Sequence, residues 1–165
     1  MKRGNGAIIA KDNRVISTGY NGTPSGLTNC NQGGCRRCND NVKQGKELDK
    51  CLCLHAEESA VLEAGRPRTL GATIYTTSFP CQLCTRKIIQ AGIVRVVFNK
   101  AYDSKLSHEM FAMTDIEITQ LNPDNGREVM TQKRVSSARD DVFESPEKLK
   151  RRKSSYSAAS YPFNL

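Results

Sequence analysis

Residues 51–84 read CLCLHAEESAVLEAGRPRTLGATIYTTSFPCQLC, and three potential metal ligands stand here at the starts of two helix-like segments. His55 opens the first segment, and Cys81 and Cys84 open the second. One imidazole and two thiolates would give Zn²⁺ three protein ligands and leave the fourth tetrahedral position to water, as in catalytic zinc sites. The stretch therefore predicts two helices that begin beside a shared catalytic zinc.

The residues around these ligands strengthen the prediction. Cys81 and Cys84 are three residues apart, so on a helix both sulfurs lie on one side, and the helix N-terminus favours their thiolate form. Glu57 lies two residues after His55, close enough to move protons on and off the water. A zinc knuckle or two unrelated reduced cysteines are the alternatives, but neither has a use for Glu57. The pattern His-x-Glu…Pro-Cys-x-x-Cys is the known signature of zinc-dependent nucleobase deaminases.

Chain length, cysteine content and charge limit the class of protein. The 165 residues suffice for one domain with a substantial core. Seven cysteines, an odd number grouped partly in Cys-x-x-Cys pairs, favour metal binding in a reducing compartment over disulfides. No long apolar run predicts a membrane span or a secretory signal, so we expect a cytoplasmic protein. The formal net charge of +8 is compatible with anionic ligands, either nucleotides or nucleic acid.

Hydrophobic periodicity predicts regular structure up to Leu121. Strands are expected over residues 6–10, 14–20, 72–77, 93–99 and 116–121, and helices over residues 55–64, 81–91 and 105–113. The first two strands flank a short polar turn and should form an antiparallel hairpin. Helices alternate with the later strands, which predicts an α/β fold with a sheet covered by helices.

The remaining residues lack a sustained period and are rich in serine and basic side chains. We therefore divide the chain into a zinc-dependent domain, residues 1–121, and a basic tail, residues 122–165, that is expected to be disordered. The densest charge is the run KLKRRK at 148–153. This run would serve nuclear import or polyanion binding. The alternative is a solvated charge run without a partner. Nuclear import would add the nucleus to the expected cytoplasmic location.

From about Gly6 to Leu121, these features resemble the deoxycytidylate (dCMP) deaminase family. The segments HAEESA and PCQLC would suit any cytidine-deaminase-like enzyme, but the loop GYNGTPSG at 19–26 and the cysteine-rich insert before His55 are similar to the dCMP branch. The resemblance implies a three-layer sandwich with a five-stranded mixed sheet. It implies hydrolysis of dCMP to dUMP for thymidylate synthesis by a homo-oligomer that dCTP activates and dTTP inhibits. A nucleic-acid partner is not expected.

One departure concerns the start of the domain. Family members carry a helix before the first strand, whereas this chain begins at Met1-Lys2-Arg3, so that helix is expected to be missing. One face of the sheet would then expose apolar side chains that a helix normally covers.

The resemblance also suggests substrate-binding residues. Asn21 would bind the sugar or phosphate, or it merely forms the turn before Gly22. Ser78 and Phe79 would line the base pocket with backbone and ring, unless Phe79 belongs to the core. Tyr102 would approach the phosphate, or it is an ordinary half-buried surface tyrosine. His108 lies on a predicted helix without an evident partner and is expected to be structural.

Five further cysteines suffice for a second, closed zinc site, which would also hold the long polar loop over residues 29–50. Relatives with a second zinc have a ligand at the position of Cys53. By this resemblance we expect the ligands to be some combination of Cys30, Cys35, Cys38 and Cys53. Cys51 is the least expected ligand, and the alternative is a set of ordinary reduced thiols.

Two other functions are compatible with the same motifs. The first is deamination of another substrate, such as a base in tRNA, free cytidine or a riboflavin precursor, although the GYNG loop argues against it. The second is a catalytically inactive zinc-binding or interaction module, which the missing helix and the basic tail would favour.

Overall fold

The structure, a computed structural model, describes residues 3–40, 42–43 and 46–121, and only the backbone of residues 128–132. These residues belong to one compact unit that spans residues 1–134. A mixed sheet lies at its centre, with the strands β1 (Gly6–Lys11), β2 (Arg14–Tyr20), β3 (Thr73–Ser78), β4 (Arg95–Lys100), β5 (Glu117–Leu121) and β6 (Glu128–Gln132). Their spatial order is β2-β1-β3-β4-β5-β6. The five predicted strands and the α/β class are confirmed.

Strand β6 corrects the prediction that regular structure ends at Leu121. It pairs antiparallel with β5, from Ile118 opposite Gln132 to Leu121 opposite Glu128. Its sequence, EVMTQ, is too short to show an alternating period, so pairing with the edge of β5 determines the strand more than its own residues do. The predicted tail beyond Gln132, with its basic run at 148–153, lies outside the described residues.

Five α-helices occur among the described residues: α1 (Arg36–Asn39), α2 (Ala56–Ala64), α3 (Arg66–Thr69), α4 (Gln82–Gln90) and α5 (Lys105–Ala112). The three predicted helices correspond to α2, α4 and α5. Helices α1 and α3 are single turns, too short to produce a periodic signal. Within the described ranges no helix has the length and apolar character needed to cross a membrane.

Helix α2 packs very closely on β2 because both surfaces carry small residues. Ala56 and Ala60 are fully buried, and a methyl group added at Gly19 would clash with the carbonyl oxygen of Ala56 and lie 2.5 Å from the amide nitrogen of Ala60. Ser17 Oγ donates a hydrogen bond to the Ala60 carbonyl at 2.9 Å. This close contact fixes the position of α2, and therefore of His55 at its start.

The core lies between the sheet and these helices. Ile9, Ile74, Ile88 and Val96 are fully buried there, and each such side chain stabilises the fold by about 1.5–3 kcal/mol. On the other face of the sheet, Ile8 stands opposite Tyr75 across β1 and β3. These two side chains are 42% and 40% exposed, so this face does present apolar surface.

The sheet topology gathers several loops at one edge of the sheet, the edge formed by the carboxyl ends of the parallel strands β3 and β4. Strands β3 and β4 run parallel and end at this edge, where α4 begins. Strand β1 runs antiparallel to both β2 and β3, so β1 begins at this edge and β2 ends there. The residues just before β1 and just after β2, β3 and β4 are therefore neighbours in space, although they are far apart in sequence.

Candidate active site

The three predicted metal ligands meet at this edge. His55 Nδ1 lies 3.4 Å from Cys81 Sγ and 3.4 Å from Cys84 Sγ, and all three ligand atoms lie within 4.8 Å of one another. Zinc bond lengths of about 2.0–2.1 Å to nitrogen and about 2.3 Å to sulfur would place such atoms roughly 3.6 Å apart on a tetrahedron. The donor types and their spacing therefore fit a zinc ion with one open position.

The ends of two helices position these ligands. His55 is the N-cap of α2, and its carbonyl accepts the first intrahelical hydrogen bond, from Ser59 N at 2.9 Å. Cys81 is the N-cap of α4, and Cys84 lies in the first turn of the same helix. An ion pair between Lys87 and Glu58 ties the two helices together.

Proton affinities differ strongly between the two sulfurs. Hydrogen bonding to Cys84, followed by that to His55, lowers the pKa of Cys81 to about 3. The same contact with the Cys81 thiolate, together with burial and the nearby Glu57 carboxylate, raises the pKa of Cys84. The thiolate of Cys81 also raises the pKa of His55. Without metal the cluster thus holds protons, and a bound cation would have to displace them.

Glu57 supplies the carboxyl group that the motif predicts. Burial raises its pKa, against smaller lowering effects from its own backbone N–H, the charge of His55 and a hydrogen bond with Cys84. Its neighbour Glu58 pairs with Lys87, whereas no ion pair to Glu57 occurs in the described part of the chain. Of these two carboxyl groups, that of Glu57 contacts the predicted ligand Cys84, whereas that of Glu58 pairs with Lys87.

A second group of cysteines forms a separate cluster. The sulfurs of Cys35, Cys38, Cys51 and Cys53 lie within 4.8 Å of one another. The Cys38–Cys51, Cys38–Cys53 and Cys35–Cys51 separations are 3.7, 3.8 and 4.0 Å. Four thiolates about 2.3 Å from one zinc ion would stand roughly 3.8 Å apart, so this cluster also fits zinc, with no position left for water.

The membership of this cluster corrects the predicted ligand set. Cys51 belongs to it, and Cys30 does not, although the buried Cys30 thiol interacts with Cys38 and Cys53. The Cys30 carbonyl instead accepts a hydrogen bond from Asn39 Nδ2 at 2.8 Å. Cys51 has an extended backbone and lies two residues before Cys53, a spacing that brings both side chains to the same side of an extended segment.

Asn21 has a structural partner that the sequence does not indicate. Its Oδ1 accepts a hydrogen bond from Asn5 N at 2.6 Å, and its Nδ2 donates to the carbonyl of Arg3 at 2.9 Å. The side chain thus anchors the segment before β1. A contact between Asn21 and a nucleotide stays a prediction.

Phe79 and His108 form a stacked pair. Their ring centroids are 4.2 Å apart with an interplanar angle of 11°, which corrects the prediction that His108 lacks a partner. Phe79 is only 3% exposed and also packs edge-on against Phe98 and Phe111. Its ring lies in the core, the second of the two predicted possibilities. The substrate contacts predicted for its backbone and for Tyr102, which is 47% exposed after β4, stay predictions.

Asn5 is the polar residue at this edge that the sequence did not single out. Its Oδ1 accepts hydrogen bonds from Thr77 Oγ1 at 3.2 Å and from Ser78 Oγ at 3.3 Å. Residue separations of 72 and 73 place these contacts beyond any local pattern. Only the pairing of β1 with β3 brings the residues together.

Comparison with known proteins agrees with this geometry. Residues 2–100 match the family described as the cytidine and deoxycytidylate deaminase zinc-binding region. The chain is 57% identical over 104 residues to the deoxycytidylate deaminase of Schizosaccharomyces pombe. This alignment covers 62% of this chain and 32% of that protein. It is 52% identical over 112 residues to the deoxycytidylate deaminase of Saccharomyces cerevisiae, covering 67% and 35%. The chain thus spans about a third of the length of these relatives.

A solved structure shares the fold. The dCMP deaminase of the cyanophage S-TIM5, in complex with dCMP and dUMP, superposes with a TM-score of 0.56 at 25% sequence identity. The superposition covers 73% of this chain and 83% of the phage protein.

Proposed function

Because this chain belongs to the cytidine and deoxycytidylate deaminase zinc-binding family, we propose that it hydrolyses dCMP to dUMP and ammonia. The observation that carries the proposal is the open tripod of His55, Cys81 and Cys84 with the partly buried carboxyl group of Glu57 beside it. Two yeast relatives named deoxycytidylate deaminase and a phage structure that holds both dCMP and dUMP support this choice of substrate.

His55, Cys81 and Cys84 would hold the metal through one nitrogen and two sulfurs. A zinc ion bound there would lower the pKa of water to about 7 and so would supply hydroxide at neutral pH. The remaining chemistry belongs to Glu57.

Glu57 would act as the proton carrier in three steps. Its carboxylate takes a proton from the attacking water and gives it to N3 of the cytosine ring. As the oxygen of this water bonds to C4, its second proton passes through Glu57 to the exocyclic amine, which leaves as ammonia when the C4–N bond breaks. Burial raises the pKa of Glu57, which brings it closer to the operating pH and suits a group that must both accept and donate a proton.

Purified, zinc-loaded chain should convert dCMP to dUMP, measured as the loss of cytosine absorbance and as ammonia released. A panel with cytidine, deoxycytidine and a cytosine-containing RNA oligonucleotide distinguishes a nucleotide enzyme from the other deaminases. Failure to deaminate any member of the panel would leave the inactive zinc-binding module as the explanation.

We also propose that the four thiolates of Cys35, Cys38, Cys51 and Cys53 bind a second zinc in a closed, structural site. All four ligands come from this chain. The site would hold the loop that precedes His55 in place, and so it would act on the active site without touching the substrate.

Assembly, regulation and location are part of the same proposal. A homo-oligomer that dCTP activates and dTTP inhibits is inferred from the family resemblance alone. The proposed location is the cytoplasm, as expected from the sequence. Sedimentation of the purified chain with and without each nucleotide, alongside dCMP turnover, would test the first two.

A further inference from the structure

Asn5 joins the loop after β2 to the end of β3. Its backbone N–H donates to Asn21 Oδ1 at 2.6 Å, and its carbonyl accepts from Asn21 N at 3.3 Å. Its side-chain Oδ1 accepts from the hydroxyl groups of Thr77 and Ser78. Asn5 therefore contacts both Asn21 and Ser78, two of the residues for which the sequence predicts a substrate contact.

These contacts orient the Asn5 amide. Thr77 Oγ1 accepts a hydrogen bond from Gly6 N at 3.2 Å, so its own proton is directed to Asn5 Oδ1. Both hydroxyl groups donate to Oδ1, so the Nδ2 group takes part in neither hydrogen bond. No residue in the described ranges accepts a hydrogen bond from Nδ2, and this atom is not among the buried polar atoms without a partner. Asn5 thus presents a fixed and accessible donor.

Ser78 complements this donor. Its hydroxyl proton is committed to Asn5 Oδ1, which leaves the lone pairs of Ser78 Oγ as an acceptor. Asn5 Nδ2 and Ser78 Oγ are therefore a neutral donor and a neutral acceptor on two side chains that are joined by a hydrogen bond. A ligand hydroxyl group, which both donates and accepts, matches such a pair, whereas phosphate oxygens only accept.

The pair lies at the same sheet edge as the metal ligands, because Ser78 ends β3 only three residues before Cys81. The nucleotide dCMP has one free hydroxyl group, at the 3′ position of its sugar. We propose that Asn5 and Ser78 together bind this 3′-hydroxyl, with Asn5 Nδ2 donating to it and Ser78 Oγ accepting its proton. The inference rests on the proposed dCMP deaminase function and adds a residue that selects the sugar.

A purely structural role for Asn5 would have a different signature. If Asn5 only held the loop after β2, its replacement would weaken turnover of every nucleotide by the same factor. If Asn5 binds the 3′-hydroxyl, its replacement affects only substrates that carry this group. A comparison of dCMP with 2′,3′-dideoxycytidine 5′-monophosphate separates the two roles.

The experiment measures kcat and KM for both nucleotides with the zinc-loaded wild type, Asn5→Ala, Asn5→Asp and Asn31→Ala. Asn5→Asp keeps the acceptor for Thr77 and Ser78 but removes the donor, and its added charge acts equally on two substrates with the same phosphate. Asn31→Ala is the matched control, since Asn31 is an exposed asparagine that takes no part in the hydrogen bonds of Asn5. We expect the wild type and Asn31→Ala to prefer dCMP about tenfold in kcat/KM, mainly through KM.

Both Asn5 variants should lose this preference, so that their kcat/KM values for the two nucleotides agree within twofold. The loss should come from a lower kcat/KM for dCMP, with the value for the dideoxynucleotide unchanged. Equal use of the two nucleotides by the wild type would overturn the proposal. So would a full tenfold preference in Asn5→Asp, which keeps the hydrogen bonds to β3 and should fold even if Asn5→Ala does not. Absence of any dCMP turnover by the wild type would instead contradict the deaminase function itself.

Discussion

Leu54 and Gly22 exchange two backbone hydrogen bonds, from Leu54 N to Gly22 O at 2.8 Å and from Gly22 N to Leu54 O at 3.2 Å. Leu54 stands between Cys53, a member of the four-cysteine cluster, and His55, a ligand of the tripod. One short extended segment therefore carries a ligand of each proposed metal centre and is paired with the loop after β2. Disturbance of either centre can reach the other through this segment.

Zinc content tests the second centre. The wild type should contain two zinc ions per chain, and Cys51→Ser should contain one, because three thiolates close the site poorly. Cys30→Ser is the matched control: Cys30 is a buried cysteine outside the cluster, so this variant should keep two zinc ions. Elemental analysis of the purified proteins gives these counts. One zinc in the wild type, or an equal loss in both variants, would contradict the assignment.

Adjacent glutamates on α2 should respond very differently to the same substitution. Glu57→Gln should lower kcat for dCMP by roughly 10²–10⁴, because an amide cannot carry the proton, while zinc content stays unchanged. Glu58→Gln removes only the ion pair with Lys87 and should keep kcat within a few-fold of the wild type. Steady-state kinetics with a zinc measurement on each protein provide the comparison. Near-native turnover by Glu57→Gln would end the assignment of this residue.

The contact between β2 and α2 predicts a stability difference between two glycines. Gly19→Ala should lower the free energy of unfolding by about 1–3 kcal/mol, since the new methyl group overlaps the backbone of Ala56 and Ala60. Gly4→Ala should change it by less than about 0.5 kcal/mol, because nothing lies within 4 Å of a Cβ there. Denaturant unfolding of both variants measures the difference. Equal stabilities would mean that α2 can move away from the sheet at little cost.

Two buried threonines should respond with opposite signs to replacement by valine. Thr85 Oγ1 is buried, and no residue in the described ranges provides it with a hydrogen-bond partner, so Thr85→Val should stabilise the fold by about 1 kcal/mol. Thr69 Oγ1 donates to the Ala91 carbonyl at 2.8 Å, so Thr69→Val should destabilise it by about 1–3 kcal/mol. Thermal midpoints of the two variants report the sign. Destabilisation by Thr85→Val would indicate that its hydroxyl has a partner after all.

The sequence predicts best what depends on local spacing. The tripod of His55, Cys81 and Cys84 was predictable because each ligand stands at a helix start, and helix starts are marked by sequence. The five predicted strands were found through their apolar, β-branched residues, and the hairpin turn at Asp12-Asn13 through its polar residues, both of which adopt positive φ.

Features that depend on distant pairing were not predictable in this way. Cys51 was assigned outside the second cluster because its position is set by the turn Leu48–Lys50 and the extended segment after it, which residue spacing does not specify. The role of Asn5 depends on hydrogen bonds across more than seventy residues. The partner of His108 depends on the packing of α5 against Phe79.

His55 and Cys81 are separated by 26 residues and belong to different helices. A cation held between them would therefore also be a crosslink between α2 and α4, and it would supplement the ion pair of Lys87 with Glu58. Strong chelators in a purification buffer would remove this crosslink along with the proposed activity. Yield and shelf life should then follow the metal content of the buffer, even in preparations that are never assayed for turnover.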